Sequence, residues 1–283
     1  MKLSPLLLGN SIEQALIEDL FWGDITSDTL LDPEQISTGH IKAKAKGVLA
    51  GIEVAGLIFH QVDPDLEFIP LCKDGTRLTP GRKIARIRGK TASMLKVERV
   101  ALNFVQHLSG IATLTSLFVK AVEGLPVKIT DTRKTTPGLR LLEKGAVLSG
   151  GGFNHRLNLG DSFLIKNNHL TSLRRQGLSI SAIIEKAKRQ NTIMKRVVEI
   201  EVRSIEEALE AAKAHADIIM LDNMLPGEMR KAVAMIKGKA VIEASGGVTL
   251  DNVRAIAQTG VDIISVGALT HSAKALDISM TLD

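Results

Sequence analysis

The chain has 283 residues, 45% hydrophobic and 24% charged, which suits a globular protein with a real core and excludes a disordered or fibrous one. A net charge of +5 raises nucleic acid as a partner. Aromatics are only 3%, tyrosine is absent, and Lys and Arg are scattered among acids, so small anions fit better than a nucleic acid.

The one cysteine, Cys72, rules out an internal disulfide and fits a reducing, cytoplasmic setting; it reads as a small hydrophobe. At the start, Pro5 interrupts a very short apolar stretch, so no signal peptide is expected. Ile12 to Leu20 predicts an amphipathic helix, and Ile41 to Ala45 alternates as a half-exposed strand does. Val54 to Val62 predicts a helix. Lys83 to Arg88 predicts a strand after the Thr79-Pro80-Gly81 turn. The piece from Asp74 to Gly89 resembles the sandwich of biotin- and lipoate-carrier domains, without the modifiable lysine in the tight turn.

Ala101 to Val119 contains no Asp, Glu, Lys or Arg, but it carries Asn103, Gln106, His107, Ser109, Thr113, Thr115 and Ser116. A membrane span needs about 20 mostly apolar residues. The segment is therefore expected as two buried helical pieces meeting near Ser109-Gly110, and no membrane as a partner.

From Val127 the rhythm changes. Strand-like runs at Val127–Asp131, Ser162–Lys166, Val197–Val202, Ile218–Asp222, Ala240–Ala244 and Val261–Val266 alternate with helical patterns. The helices fall at Leu139–Leu148, Ser181–Gln190, Ser204–His215, Pro226–Lys237 and Leu250–Thr259. Such βα units imply a parallel sheet. An incomplete barrel beside an N-terminal partner domain is expected, with a doubly wound sheet as the alternative. No G-x-G-x-x-G follows the first run, which weighs against a dinucleotide fold.

What ends each run is informative, because all ends of a parallel barrel open on one face. The ends are Asp131-Thr132-Arg133-Lys134, Lys166-Asn167-Asn168-His169, Glu199 with Glu201, Asp222-Asn223, Ser245-Gly246-Gly247 and Val266-Gly267. The last two, each before a helical pattern, suit a phosphate held by backbone N–H groups. Gly150-Gly151-Gly152-Phe153-Asn154-His155-Arg156 adds two cations to Arg133, Lys134 and Lys166. Cations without acidic sequence neighbours call for a multiply charged anion, and Arg suits bidentate carboxylate or phosphate. Glu201 and Asp222 suit sugar hydroxyls, a divalent metal or a developing cation. An ordinary salt bridge is the plain alternative for each.

Asp131 to Arg140 (Asp-Thr-Arg-Lys-Thr-Thr-Pro-Gly-Leu-Arg), Gly150 to Arg156 and Leu164 to His169 together resemble the quinolinate phosphoribosyltransferase family (nicotinate-nucleotide pyrophosphorylase, carboxylating). Glu18–Ser27, Glu98–Asn103, Leu108–Thr113, Leu221–Asn223, Ser245–Gly247 and Val266–Thr270 extend the resemblance over nearly the whole chain. It implies an α/β protein: an N-terminal α/β sandwich domain over residues 1–112, an incomplete six- or seven-stranded parallel α/β barrel over 113–270, and a segment 271–283 packing back on the first domain. It implies a homodimer with shared sites, alone or in a larger assembly. It puts quinolinate among Arg133, His155, Arg156 and Lys166, with Arg99 from the partner subunit. It puts phosphoribosyl pyrophosphate (PRPP) and Mg²⁺ near Thr132, Lys134, Glu201 and Asp222, the acids meeting the metal directly or through PRPP. The 5′-phosphate falls at Ser245, Gly246, Gly247, Val266, Gly267 and Ala268. Lys134, Lys166, Glu201 and Asp222 are the implied catalytic set. The molybdenum-operon paralogue, or a non-catalytic metabolite-binding barrel, is the rival reading. Gly145 inside a helical run, and Leu148 and Phe153 where polar residues would be expected, bear on substrate affinity.

Overall fold

The computed structural model describes residues 5–190 and 193–283; the reading of residues 1–4 lies outside them. In chain order the described elements are α1 (Pro5–Leu20), α2 (Ile25–Leu30), β1 (Ile36–Ala43), β2 (Gly47–Val48), α3 (Ile52–Val62), β3 (Glu67–Pro70), β4 (Arg77–Leu78), β5 (Lys83–Lys90), α4 (Thr91–Ala121) and β6 (Lys128–Thr130). They continue with α5 (Arg140–Ser149), β7 (Phe163–Ile165), α6 (Asn167–Arg174), α7 (Ile180–Gln190), β8 (Val198–Val202), α8 (Ile205–Lys213) and β9 (Ile218–Asp222). The rest are α9 (Pro226–Ile236), β10 (Val241–Ser245), α10 (Val253–Ala257), β11 (Ile263–Ser265), α11 (Ala268–His271) and β12 (Ile278–Leu282).

Two compact units interleave along the chain. One comprises Met1–Ser116, Thr135–Gly151 and Leu269–Asp283; the other comprises Leu117–Lys134 and Gly152–Ala268.

The first unit is built on an antiparallel sheet in the order β12-β1-β5-β3. The C-terminal strand β12 pairs along β1, from Gly39–Leu282 to Ala43–Ile278. Alternation in β1 and β5 buries Ile41, Ala43, Ile84 and Ile87. The helix α3 starts at Gly51, which has no side chain to cap it. Asp74, distant in sequence, caps it instead, accepting from the Gly51 and Ile52 backbone N–H groups at 2.9 and 3.1 Å.

The expected break at Ser109-Gly110 is corrected: α4 runs unbroken for 31 residues. Its small polar residues are satisfied in place. Thr115 Oγ1 donates to the Ile111 carbonyl, and Thr113 Oγ1 to that of Ser109. Ser109 Oγ bonds both the N–H and the carbonyl of Ala50. Gly110 is there for proximity: a Cβ on it would lie 2.2 Å from the Lys274 carbonyl oxygen. By length and composition α4 is the one described helix that could cross a membrane; 56% of its most apolar stretch is buried inside the protein.

The second unit is a six-stranded sheet in the order β6-β11-β10-β9-β8-β7, parallel throughout. Period-2 alternation splits each strand. Val198, Ile200 and Val202, Ile219 and Leu221, and Ile242 and Ala244 form one buried apolar face. The apolar stripes of α8 (Ala208, Ala211, Ala212) and α9 (Ala232, Val233, Ile236) are likewise buried. Each Val, Leu or Ile among them adds about 1.5–3 kcal/mol when fully buried, and each Ala less. The intervening residues occupy the other face: Glu199 and Glu201 on β8, Met220 and Asp222 on β9, Glu243 and Ser245 on β10. Six strands laid flat would hold their edges roughly 24 Å apart. Here Thr132, just past edge strand β6, and Leu164, on edge strand β7, line one cleft, so the sheet is curled into an incomplete barrel.

Candidate active site

The cleft measures about 440 Å³ and lies wholly in the second unit. Its wall includes Thr132, Arg133, Lys134, His155, Arg156, Lys166, Glu201, Asp222, Ser245, Gly246 and Gly247. These come from segments up to 115 residues apart, and what unites them is the carboxyl rim of the curled sheet. Val266, Gly267 and Ala268 follow Ser265, which lines the cleft, but they are not among its wall residues. Arg99 is exposed on α4 in the first unit and is also outside the wall.

The basic side follows from local geometry. A Thr132 turn orders Lys134, whose N–H donates to Thr132 Oγ1 at 3.0 Å. The glycine-rich segment is anchored where the His155 N–H donates to the fully buried Asp131 at 2.9 Å. Arg156 donates through one terminal nitrogen to the Ser162 carbonyl at 3.0 Å, and its buried Nε has no hydrogen-bond partner among the described residues. Burial, and then the charge of Arg133, pull the Arg156 guanidinium below its ordinary pKa. Two guanidiniums so placed repel each other, and an anion between them relieves the repulsion.

The acidic side is tied together by Asn167, the first residue of α6. Its N–H donates to Glu201 Oε2 at 3.0 Å, and its side-chain amide donates to Asp222 Oδ2 at 3.2 Å. Asp222 Oδ2 also pairs with the exposed Arg203 Nε at 3.2 Å, and Oδ1 accepts from Asn223 Nδ2 at 2.9 Å. The salt-bridge reading of Asp222 is thus partly realised in the same carboxylate that faces the cleft. The sequence pattern does not predict α6, though Asn167 stands in the Lys166-Asn167-Asn168-His169 run. Lys166 sits at its N-cap, where its N–H donates to His169 Nδ1 at 2.9 Å.

Gly246 is required twice over. Its φ is +94°, and a Cβ there would meet Asn223 Oδ1 at 2.2 Å.

The cations have acidic neighbours in space that they lack in sequence: the His155 ring meets Glu199 and Glu243, supplied by strands far away along the chain. Both acids were visible in their strands, yet only register and curvature bring them to His155. Phe153, expected to be more polar, is half exposed beneath Lys128, whose Nζ lies 5.2 Å from the ring centroid. Leu148 and Gly145 line a groove in the first unit.

A cationic rim and two carboxylates at one barrel mouth, with a glycine turn beside them, define a class: α/β barrels with a charged cleft for a small molecule at the carboxyl rim of the sheet. Residues 24–109 and 111–281 match the N- and C-terminal domains of quinolinate phosphoribosyl transferase. The chain is 41% identical to a probable nicotinate-nucleotide pyrophosphorylase [carboxylating] of Bacillus subtilis, covering 98% of this chain and 94% of that one. It is 42% identical to a quinolinate phosphoribosyltransferase [decarboxylating] of Nicotiana glauca, over 96% and 81%. Among solved structures, NadC from Streptococcus pyogenes superposes with a TM-score of 0.93 at 41% identity, covering 100% and 99% of the chains. The nicotinate-nucleotide pyrophosphorylase of Francisella tularensis gives 0.93 at 37%, over 100% and 98%. The chain belongs to the quinolinate phosphoribosyltransferase family.

Proposed function

We propose that this protein transfers the phosphoribosyl group of PRPP to quinolinate with loss of CO₂, giving nicotinate mononucleotide and pyrophosphate in NAD biosynthesis. The observation that carries the reading is the meeting of Arg133, Arg156, Lys134 and Lys166 with Glu201 and Asp222 around one cleft. A diacid needs the first group, and a sugar carbon that becomes cationic needs the second.

Arg133, His155, Arg156 and Lys166 grip the two carboxylates and aim the ring nitrogen at the ribose carbon that carries pyrophosphate. As that bond forms, the C–O bond to pyrophosphate breaks, and positive charge builds on the sugar. Glu201 and Asp222 face that charge and the ribose hydroxyls. Lys134 faces the departing pyrophosphate, and the Ser245-Gly246-Gly247 turn receives the 5′-phosphate, with Val266, Gly267 and Ala268 as the neighbouring backbone. When the adjacent carboxylate leaves as CO₂, its electron pair stays on the ring carbon, stabilised by the neighbouring cationic nitrogen, and a proton from solvent then takes that position. No strong nucleophile is needed. Glu201 and Asp222, as hard oxygen donors, would hold a Mg²⁺ brought with PRPP, directly or through PRPP. When bound, the ion would supply charge neutralisation for the leaving group. In this reading the enzyme is a cytoplasmic homodimer in which Arg99 completes the partner's site.

Incubation with quinolinate, PRPP and Mg²⁺ tests the proposal. Equimolar CO₂ and nicotinate mononucleotide are expected, and nicotinate in place of quinolinate should give little product. Nicotinate mononucleotide from nicotinate at an equal rate, or no product from quinolinate, would refute it.

A further inference from the structure

His155 and Arg156 line the cleft and also a second, open cavity of about 260 Å³ toward the amino ends of the strands. They therefore stand between the two cavities. On the side of the second cavity stand Glu199 and Glu243, which are 1% and 0% exposed. The His155 Nε2 lies 3.3 and 3.2 Å from the two Glu199 oxygens and 3.4 Å from Glu243 Oε2. Neither Glu243 oxygen has a hydrogen-bond partner among the described residues.

The strand pattern explains the convergence. Glu199 lies two residues inward of Glu201 on β8, and Glu243 two residues inward of Ser245 on β10. Each strand thus presents one rim residue to the cleft and one acid to the interior on the same face. Carboxylates buried this deeply need a cation or a proton. The ring between them supplies one cation for the two acids, and burial raises the Glu199 pKa above its ordinary value. Burial alone would lower the His155 pKa, but the Glu199 hydrogen bond and the close, charged carboxylates of Glu199 and Glu243 outweigh it and raise it from 6.5 to about 10.

We propose that Glu199 and Glu243 are positioning residues for the diacid substrate: from inside the barrel they hold the His155 ring as a fixed cation in the wall of the cleft. His155 then contributes charge, and it neither gives nor takes a proton during turnover. The assignment rests on the functional reading above.

Glu243→Gln and Glu199→Gln keep the volume and remove the charge. Steady-state kinetics should show the quinolinate KM raised by about tenfold or more, with kcat and the PRPP KM changed by less than about threefold. In a His155→Ala background, adding Glu243→Gln should change the quinolinate KM by less than about twofold, because the glutamate acts only through the ring. An unchanged quinolinate KM beside normal wild-type turnover would overturn the assignment. So would full additivity with His155→Ala, or a stoichiometric metal ion that the wild type retains and Glu243→Gln loses. Should both glutamine variants fail to fold, ¹⁵N NMR of the wild-type His155 ring decides, at a pH midway between 6.5 and about 10. An imidazolium is expected, and a neutral tautomer contradicts the assignment. Wild-type protein that does not turn over quinolinate would instead refute the functional reading, and the NMR would still report on the ring.

Discussion

Removing a cation from the cleft wall should cost chemistry and spare the fold. Lys166 and Lys134 are exposed, so neither supports the core. Lys166→Ala or Arg133→Ala should cut turnover by at least ~100-fold, since each removes charge-assisted contacts to the diacid. Thermal melting of Lys166→Ala should stay within a few degrees of the wild type. Wild-type activity in either variant would remove that residue from the site. A second effect at this scale depends on pH. The folded-state pKa of His155 is raised from 6.5 to about 10, so its stabilising contribution is full below 6.5 and is lost as pH rises through about 10. Urea midpoints measured across that window should show the stability gap between wild type and His155→Gln closing with rising pH. A gap that stays constant would mean that the ring is neutral in the fold.

Among elements, caps and registers that join distant residues were the hardest features to read from sequence. The six barrel strands were legible because each is a short apolar run closed by polar residues. The expected Val197–Val202 and Ile218–Asp222 match β8 and β9 to within a residue. β2 and β4 are two residues each, too short for alternation to register. β12 went unseen because Ile278–Leu282 has meaning only as the partner of β1. The helix expected over Leu250–Thr259 shrinks to Val253–Ala257. The long helix α4 was misread as two pieces because its Ser and Thr residues suggested a break, whereas they bond back to their own turns and to Ala50. Rim residues could be picked out one by one; which acid meets which cation depends on strand curvature. The α3 cap offers a test at this scale. Asp74→Ala removes two backbone acceptor contacts and should destabilise the protein by about 1–2 kcal/mol. Chemical denaturation measures this. Specific activity per folded molecule should be unchanged, because Asp74 belongs to the first unit and is not among the cleft-wall residues.

At the scale of the whole molecule, the proposed function joins one cleft to a residue that the cleft wall lacks. Arg99 is exposed on α4, and sequence alone reads it as a solvated helix residue; only the family resemblance makes it part of a site. If a partner subunit supplies it, Arg99→Ala and Lys166→Ala should each be inactive alone. Mixed and allowed to exchange subunits, they should regain activity, since one site of each mixed dimer then holds both residues. No recovery, in a mixture shown by mass spectrometry to contain mixed dimers, would place Arg99 within its own subunit's site or outside catalysis. Through all three scales runs one requirement, that a diacid sits between the basic rim and the two facing carboxylates. A crystal structure with quinolinate bound tests it most directly. Both carboxylates should contact Arg133, Arg156, His155 or Lys166, with the ring nitrogen turned toward Glu201 and Asp222. Quinolinate bound elsewhere, or these side chains directed away from it, would contradict the account.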